Sequence, residues 1–166
     1  FSGKLIAKKA PDLILDAFAR LPERRRASSR IVFLGSGVML DELRTRAGQF
    51  PGRVDFPGFV NQRDLPGYYL AADVLILPSR RRGETWGLVV NEALHAGCGV
   101  IVSDAVGSHR EFGSWERARV IREDDAEASA RAMEELAAFP RSFDWCAEAS
   151  GKYTVAAAAE AIAAQF

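Results

Sequence analysis

Three short runs in this chain are apolar at every position rather than at alternate ones: Ile31-Val32-Phe33-Leu34, Val74-Leu75-Ile76-Leu77 and Val100-Ile101-Val102. A strand with one face in water alternates apolar and polar residues. A strand that is apolar throughout is buried on both faces, and such strands belong to parallel sheets covered by helices on either side. Segments of helical period separate the runs. Pro11 to Leu21 sets Leu13, Ile14, Ala17, Phe18 and Leu21 on one face, with Pro at its start. Val38 to Ala47 and Trp86 to Ala96 follow the same rule, the latter stopped by Gly97. Asn61 is placed to cap a helix reaching Ala71 or Ala72, with Asp64 at the capping-box position. Glu127 to Ala138 and Lys152 to Ala164 read as further helices. Arg53 to Phe56 and Ala118 to Ile121 read as weaker strands, and the polar stretch from Pro22 to Arg30 as a solvated loop. The alternation predicts an α/β fold: a doubly wound parallel sheet, Rossmann-like, in one domain spanning residues 1–166.

Composition narrows the partners. The chain has 166 residues, 48% apolar and 27% charged, with 22 Lys+Arg against 22 Asp+Glu. That is enough apolar material for one core and excludes a disordered or disulfide-built chain. Zero net charge argues against broad electrostatic binding to nucleic acid or anionic lipid. Cys98 and Cys146 stand far apart and form no C-x-x-C pair. No metal-ligand spacing is visible, so no metal site is expected. Free thiols, no signal peptide and no apolar run approaching the ~20 residues of a membrane span predict a cytoplasmic location. The chain opens on Phe1-Ser2-Gly3-Lys4 without an initiating Met, and is expected to be one domain of a larger protein.

In doubly wound sheets ligands bind beyond the carboxyl ends of the strands. Gly3-Lys4, Gly35-Ser36-Gly37, Ser79 to Glu84 and Ser103 to Glu111 all follow strands. Lysines beside a helix N-terminus suit an anion, although the local pattern alone favours solvated side chains for Lys4, Lys8 and Lys9. Gly35-Ser36-Gly37 opens a helix but lacks the third glycine of a dinucleotide fingerprint, since position 40 is Leu40. The segment from Pro78 to Leu94 holds two carboxylates eight residues apart, Glu84 before a helix and Glu92 inside it. Thr85 is placed to cap that helix. On the wheel, Val89, Val90, Ala93, Leu94, Ala96 and Gly97 share an apolar arc, while Asn91, Glu92 and His95 fall opposite. The wheel alone thus leaves Glu92 solvated. His95, Tyr68 and Tyr69 read as surface or packing residues. Asp73 precedes its strand, the wrong end for the acidic pocket of a phospho-receiver domain.

Taken in order, these segments resemble the C-terminal donor-binding domain of the retaining glycosyltransferases of family 4, which have the GT-B fold. The resemblance rests on Gly3-Lys4 followed by Lys9; on Gly35-x-Gly37; and on Gly58-Phe59-Val60 with Leu65-x-x-Tyr68-Tyr69 and Ala72-Asp73-Val74. It continues through Pro78-Ser79, the run from Glu84 to Ala93, Ala96-Gly97, and Ser103-Asp104-x-x-Gly107 leading to Glu111. It covers roughly residues 1–112.

The resemblance implies catalytic roles for Lys4 and Lys9, which would hold the donor diphosphate, and for Glu84, near the donor sugar. It implies that Glu92 accepts hydrogen bonds from the ribose. Gly87, Leu88 and Val89 would offer backbone N–H groups, with Trp86 beside them. Phe59, Val60 and Leu65 would border the base, and Gly3 and Gly35 would let the backbone approach the donor. The implied donor is a nucleotide-diphosphate sugar, with no cofactor and no bound metal. An N-terminal acceptor domain would complete the enzyme, which would be of hexosyltransferase type and serve glycan biosynthesis. Membrane contact would be peripheral, and only in the full-length protein. The domain alone would bind donor weakly and transfer little.

This sequence departs from the pattern in four places. Lys4 stands where Arg is more common, which loses a bidentate phosphate clamp. Arg80-Arg81-Arg82-Gly83 lengthens the loop before Glu84, Gly107-Ser108-His109 replaces a double glycine, and Gly99 replaces a common Pro. A GT-B nucleotide-sugar epimerase domain and a non-catalytic nucleotide-binding module are the competing readings.

Overall fold

The computed structural model describes residues 1–81 and 86–164. In chain order the elements are α1 (Pro11–Arg20), α2 (Glu23–Ser28), β1 (Ile31–Leu34), α3 (Leu40–Ala47), β2 (Val54–Gly58), α4 (Leu65–Ala71), β3 (Val74–Leu77), α5 (Leu88–His95), β4 (Gly99–Ser103), α6 (His109–Phe112), β5 (Ala118–Ile121), α7 (Ala126–Leu136), α8 (Ala147–Ser150) and α9 (Val155–Ala163). Short 3₁₀ turns cover Ala7–Lys9 and Gly151–Tyr153. All pairings are parallel: β1 with β2, and β3 with β4 with β5. The anticipated strands and long helices are all present, and among the described residues no helix is long and apolar enough to cross a membrane.

The fully apolar runs divide their side chains between two cores. Ile76, Ile101 and Ile121 face one way, into a core with Ile14 and Phe18 of α1 and Met133 and Leu136 of α7. Leu75, Leu77, Val100 and Val102 face the other way, toward Tyr69 of α4 and Val90, Ala93 and Leu94 of α5. Period two is therefore present in these strands, but both faces meet helices, so hydropathy alone does not show it.

Several boundaries differ from the sequence expectation. Pro22 to Arg30 is solvated but not a loop: Glu23–Ser28 forms α2. Pro22 stands just before its first turn, and Arg26 Nη1 donates to the Ala19 and Leu21 carbonyls at the end of α1. Two helix starts lie later than expected, at Leu40 and Leu88. Asn61 makes a turn ahead of α4 rather than capping it. Its Oδ1 accepts from the Arg63 and Asp64 amides at 3.0 and 3.3 Å, and its Nδ2 donates to Asp64 Oδ2 at 2.8 Å. Asp64 thus sits directly before α4 with its side chain engaged elsewhere. The last helical pattern, Lys152 to Ala164, resolves into a 3₁₀ turn and then α9, capped by Thr154. Two further helices, α6 and α8, are single turns of four residues outside the predicted segments. Too short for a periodic pattern, they follow from packing instead, with Phe112 and Ser150 buried.

The chain start completes a third parallel segment beside β1. The Phe1 amine donates to the Val32 carbonyl, Leu34 N to the Phe1 carbonyl and Gly3 N to the Leu34 carbonyl, at 2.8–3.0 Å. Below this short ladder, β1 and β3 face one another across a cavity of about 560 Å³. Ile31, Val32, Leu75, Ile76, Phe18 and Tyr69 are among its lining residues.

Gly35 sits where the first loop crosses β1. A Cβ there would lie 1.9 Å from the Gly3 carbonyl oxygen, and its φ of 138° disfavours any side chain. Gly35→Ala is therefore expected to cost more than ~2 kcal/mol in denaturant unfolding, because backbone must move against backbone. The thiols supply a second check. Cys98 and Cys146 are free and buried, and donate to the Tyr69 and Leu94 carbonyls at 3.2 Å. Burial pushes the Cys98 thiol up to about 11. Both thiols should resist alkylation at neutral pH until the protein unfolds. Because the fold retains a proton that the unfolded chain releases, stability should fall as pH rises from about 9 toward 11.

Candidate functional site

The parallel arrangement collects the strand-following loops at one edge, and backbone hydrogen bonds tie them together. Leu5 N donates to the Ser36 carbonyl and Met39 N to the Leu5 carbonyl, at 2.9 and 3.1 Å. Gly35 N donates to the Gly58 carbonyl at 2.8 Å. Arg80 N, in the loop after β3, donates to the Lys8 carbonyl at 2.8 Å. Ser108 N, in the loop after β4, donates to the Trp86 carbonyl at 3.1 Å. Gly3, Lys4, Lys9 and Gly35 thus belong to one connected backbone assembly. Lys4 is exposed, and Lys9 is half-buried within the 3₁₀ turn.

Gly87 sets the entry to α5. Its φ is 87°, in the left-handed region, and a Cβ would lie 2.8 Å from Val106 and 2.9 Å from Leu77. Among the described residues no side chain caps this helix. Its first amides therefore stand at the loop edge, where a helix N-terminus favours negative charge. Leu88 is 71% exposed and Val89 half-buried, so the polypeptide reaches the surface here backbone first. Trp86 is oriented twice, by Nε1 donating to Asn91 Oδ1 at 2.9 Å and by edge contact with Phe112. Glu84 and Thr85 lie outside the described residues.

Glu92 is not the solvated carboxylate that the wheel allows. It is half-buried in α5, and Oε2 accepts from the Tyr69 hydroxyl at 2.9 Å. Tyr69 is 4% exposed. Burial first, and then Glu92, hold the phenol above its ordinary range, so it stays a donor. Tyr69 is a packing residue as expected, but it also fixes one carboxylate oxygen of Glu92. Helical period could not reveal this, because the two residues lie on different helices.

The aromatic border is looser. Phe59 is 79% exposed on the rim after β2, Val60 is half-buried, and Leu65 packs on the second core instead of standing free. His95 is exposed and Tyr68 is 37% exposed, in line with surface or packing roles.

Among the described residues, the buried hydroxyl oxygens of Ser79 and Ser108, and Asp12 Oδ1, have no hydrogen-bond partner. Arg80 donates to Asp124 from Nε at 2.7 Å, to Asp12 from Nη2 at 3.1 Å and to the Ala7 carbonyl from Nη1 at 2.5 Å. Arg81 pairs with Asp104 at 2.7 Å and Glu123 at 3.5 Å. The arginine run is therefore not simply solvated, although Arg82 lies outside the described residues. Among those residues, no group of three or more His, Cys, Asp and Glu is placed to hold a metal ion.

The family model described as glycosyl transferases group 1 matches residues 1–149. A phosphatidyl-myo-inositol mannosyltransferase from Mycolicibacterium smegmatis is 32% identical over 126 residues, 76% of this chain and 32% of the relative. A D-inositol 3-phosphate glycosyltransferase from Streptomyces coelicolor is 34% identical over 151 residues, 84% of this chain and 32% of the relative. The chain thus spans about a third of the length of the curated relatives it matches. Among solved structures, Anabaena Alr3699/HepE in complex with UDP superposes with a TM-score of 0.80 at 20% identity, covering 99% of this chain and 46% of that one. The catalytic domain of cholesterol-alpha-glucosyltransferase from Helicobacter pylori gives 0.71 at 16% identity, covering 82% and 83%. The fold is that of a Rossmann-like GT-B domain, and the chain belongs to the group 1 glycosyl transferase family.

Proposed function

We propose that this domain binds a nucleotide-diphosphate sugar and, joined to an acceptor-binding N-terminal domain, transfers the sugar to a hydroxyl with retention at the anomeric carbon. The observation that carries the reading is the bond from Arg80 N to the Lys8 carbonyl, which locks the lysine turn to the loop leading toward α5. Cations and a helix N-terminus then border the same edge as the partly held carboxylate of Glu92.

The chemistry follows from that arrangement. The bond from the anomeric carbon to the phosphate oxygen breaks, and a bond to the acceptor oxygen forms. The leaving diphosphate gains negative charge, and the acceptor hydroxyl gives up its proton. Lys4, Lys9 and the first amides of α5 stand ready to receive that charge, which is where electrostatic preorganisation contributes most. No cofactor or bound metal enters this account. Glu92, with one oxygen occupied by Tyr69, presents the other to the ribose hydroxyls. Phe59 and Val60 border the base, and Leu65 supports that border from the second core. Gly3 and Gly35 admit the donor's approach, and Trp86 shapes the entry to α5. Glu84 would contact the donor sugar.

Several relatives carry mannosyl- or glycosyltransferase names, and two Anabaena structures hold UDP or UDP with glucose. These support a donor of the hexosyl nucleotide class and a role in glycan assembly. We place the protein in the cytoplasm, with nucleic acid outside its partners and any membrane contact confined to the full-length form. Set against the epimerase alternative, the chain offers only two histidines, His95 and His109.

Calorimetric titration with UDP, GDP and ADP tests the reading. One nucleotide should bind saturably, and Lys9→Ala and Glu92→Ala should each weaken it by about tenfold, the loss of a charge-assisted contact worth ~1.4 kcal/mol or more. Failure of all three nucleotides to bind the full-length protein would refute it. Tyr69→Phe should weaken the same nucleotide about threefold and lower stability by ~1 kcal/mol, because Glu92 loses its donor. Unchanged affinity in that variant would show that Glu92 needs no positioning.

A further inference from the structure

Arg80 ties several segments of the carboxyl edge together, and the nucleotide-binding reading gives its side chain no task. Its backbone N–H holds the Lys8 carbonyl at 2.8 Å, and its Nη1 holds the Ala7 carbonyl at 2.5 Å. Ala7 and Lys8 are two of the three residues in the 3₁₀ turn that carries Lys8 and Lys9. A turn this short satisfies little of itself: Lys9 N donates to the Ile6 carbonyl and Ala10 N to the Ala7 carbonyl. It then exits through Ala10 at φ 49°, a left-handed conformation that costs a non-glycine residue free energy. Something outside the turn must hold it.

The other two contacts of Arg80 fix the holder itself. Nη2 meets Asp12 in the first turn of α1, and Nε meets Asp124 in the loop after β5. Asp124 is likewise left-handed, at φ 61°. The second Asp12 oxygen is buried without a partner, so among the described residues Arg80 holds that carboxylate through its other oxygen. Three donors of one planar guanidinium thus serve three segments: the lysine turn, the start of α1 and the loop after β5. A lysine ammonium reaches as a point charge and lacks that fork.

We infer that Arg80 is a positioning residue for the lysine turn: it sets where the turn's cations stand and thereby tunes affinity for the diphosphate of a nucleotide without touching the nucleoside. This rests on the nucleotide-binding reading for its ligand, but its structural half stands apart from that reading.

The test combines two readouts on Arg80→Ala, with Arg80→Lys as the conservative variant. Amide hydrogen exchange needs no ligand. The Lys9 and Ala10 amides should exchange at least about tenfold faster in Arg80→Ala, while β3 and β4 amides keep their protection. Titration then compares the nucleoside diphosphate that the protein binds with its parent nucleoside. Arg80→Ala should lose about five- to tenfold for the diphosphate and nothing for the nucleoside, and Arg80→Lys should recover only part of the loss. Adding Lys9→Ala to Arg80→Ala should cost much less than Lys9→Ala costs alone, since both act on one contact. Unchanged exchange in the turn would overturn the inference whether or not nucleotide binds. So would equal losses for diphosphate and nucleoside, or losses that multiply independently. Faster exchange in a protein that binds no nucleotide would uphold Arg80 as the turn's holder and sink the donor-binding reading instead.

Discussion

The domain depends on a backbone crossing. Residues 1–5 run beside the end of β1 and continue over Gly35-Ser36, bonded by Gly3 N to Leu34 O and Leu5 N to Ser36 O. Carbonyl and α-carbon come close enough that position 35 excludes a Cβ. From this crossing the lysine turn is launched in one direction and α3 in the other, through the bond from Met39 N to Leu5 O. The glycine pair there is therefore not a degraded dinucleotide fingerprint. It is the solution to two chains passing at hydrogen-bond distance.

Around that crossing the sheet partitions its side chains with little ambiguity. Isoleucines at 76, 101 and 121 meet α1 and α7; leucines and valines at 75, 77, 100 and 102 meet α4 and α5. Burial on two faces fixes register twice, because a one-residue slip would exchange both sets at once. The edge above inherits this rigidity. Loops tied to one another by backbone bonds, and to carboxylates by Arg80 and Arg81, hold polar groups still in a way that isolated surface loops do not.

What the sequence displayed and what it concealed separate along physical lines. Buried strands were legible because Val and Ile runs such as 74–77 leave no polar position to explain away. Helix starts were not, since Val38-Met39 and Trp86-Gly87 continue the apolar pattern while their backbone has yet to turn helical. At the site, the spacing from Gly3 to Lys9 and the position of Glu92 were visible as a resemblance. The partner of Glu92 was not, because Tyr69 reaches it from 23 residues away. Arg80 was hidden for the same reason. Its two carboxylate partners lie 68 and 44 residues from it, so nothing beside it in sequence announces them.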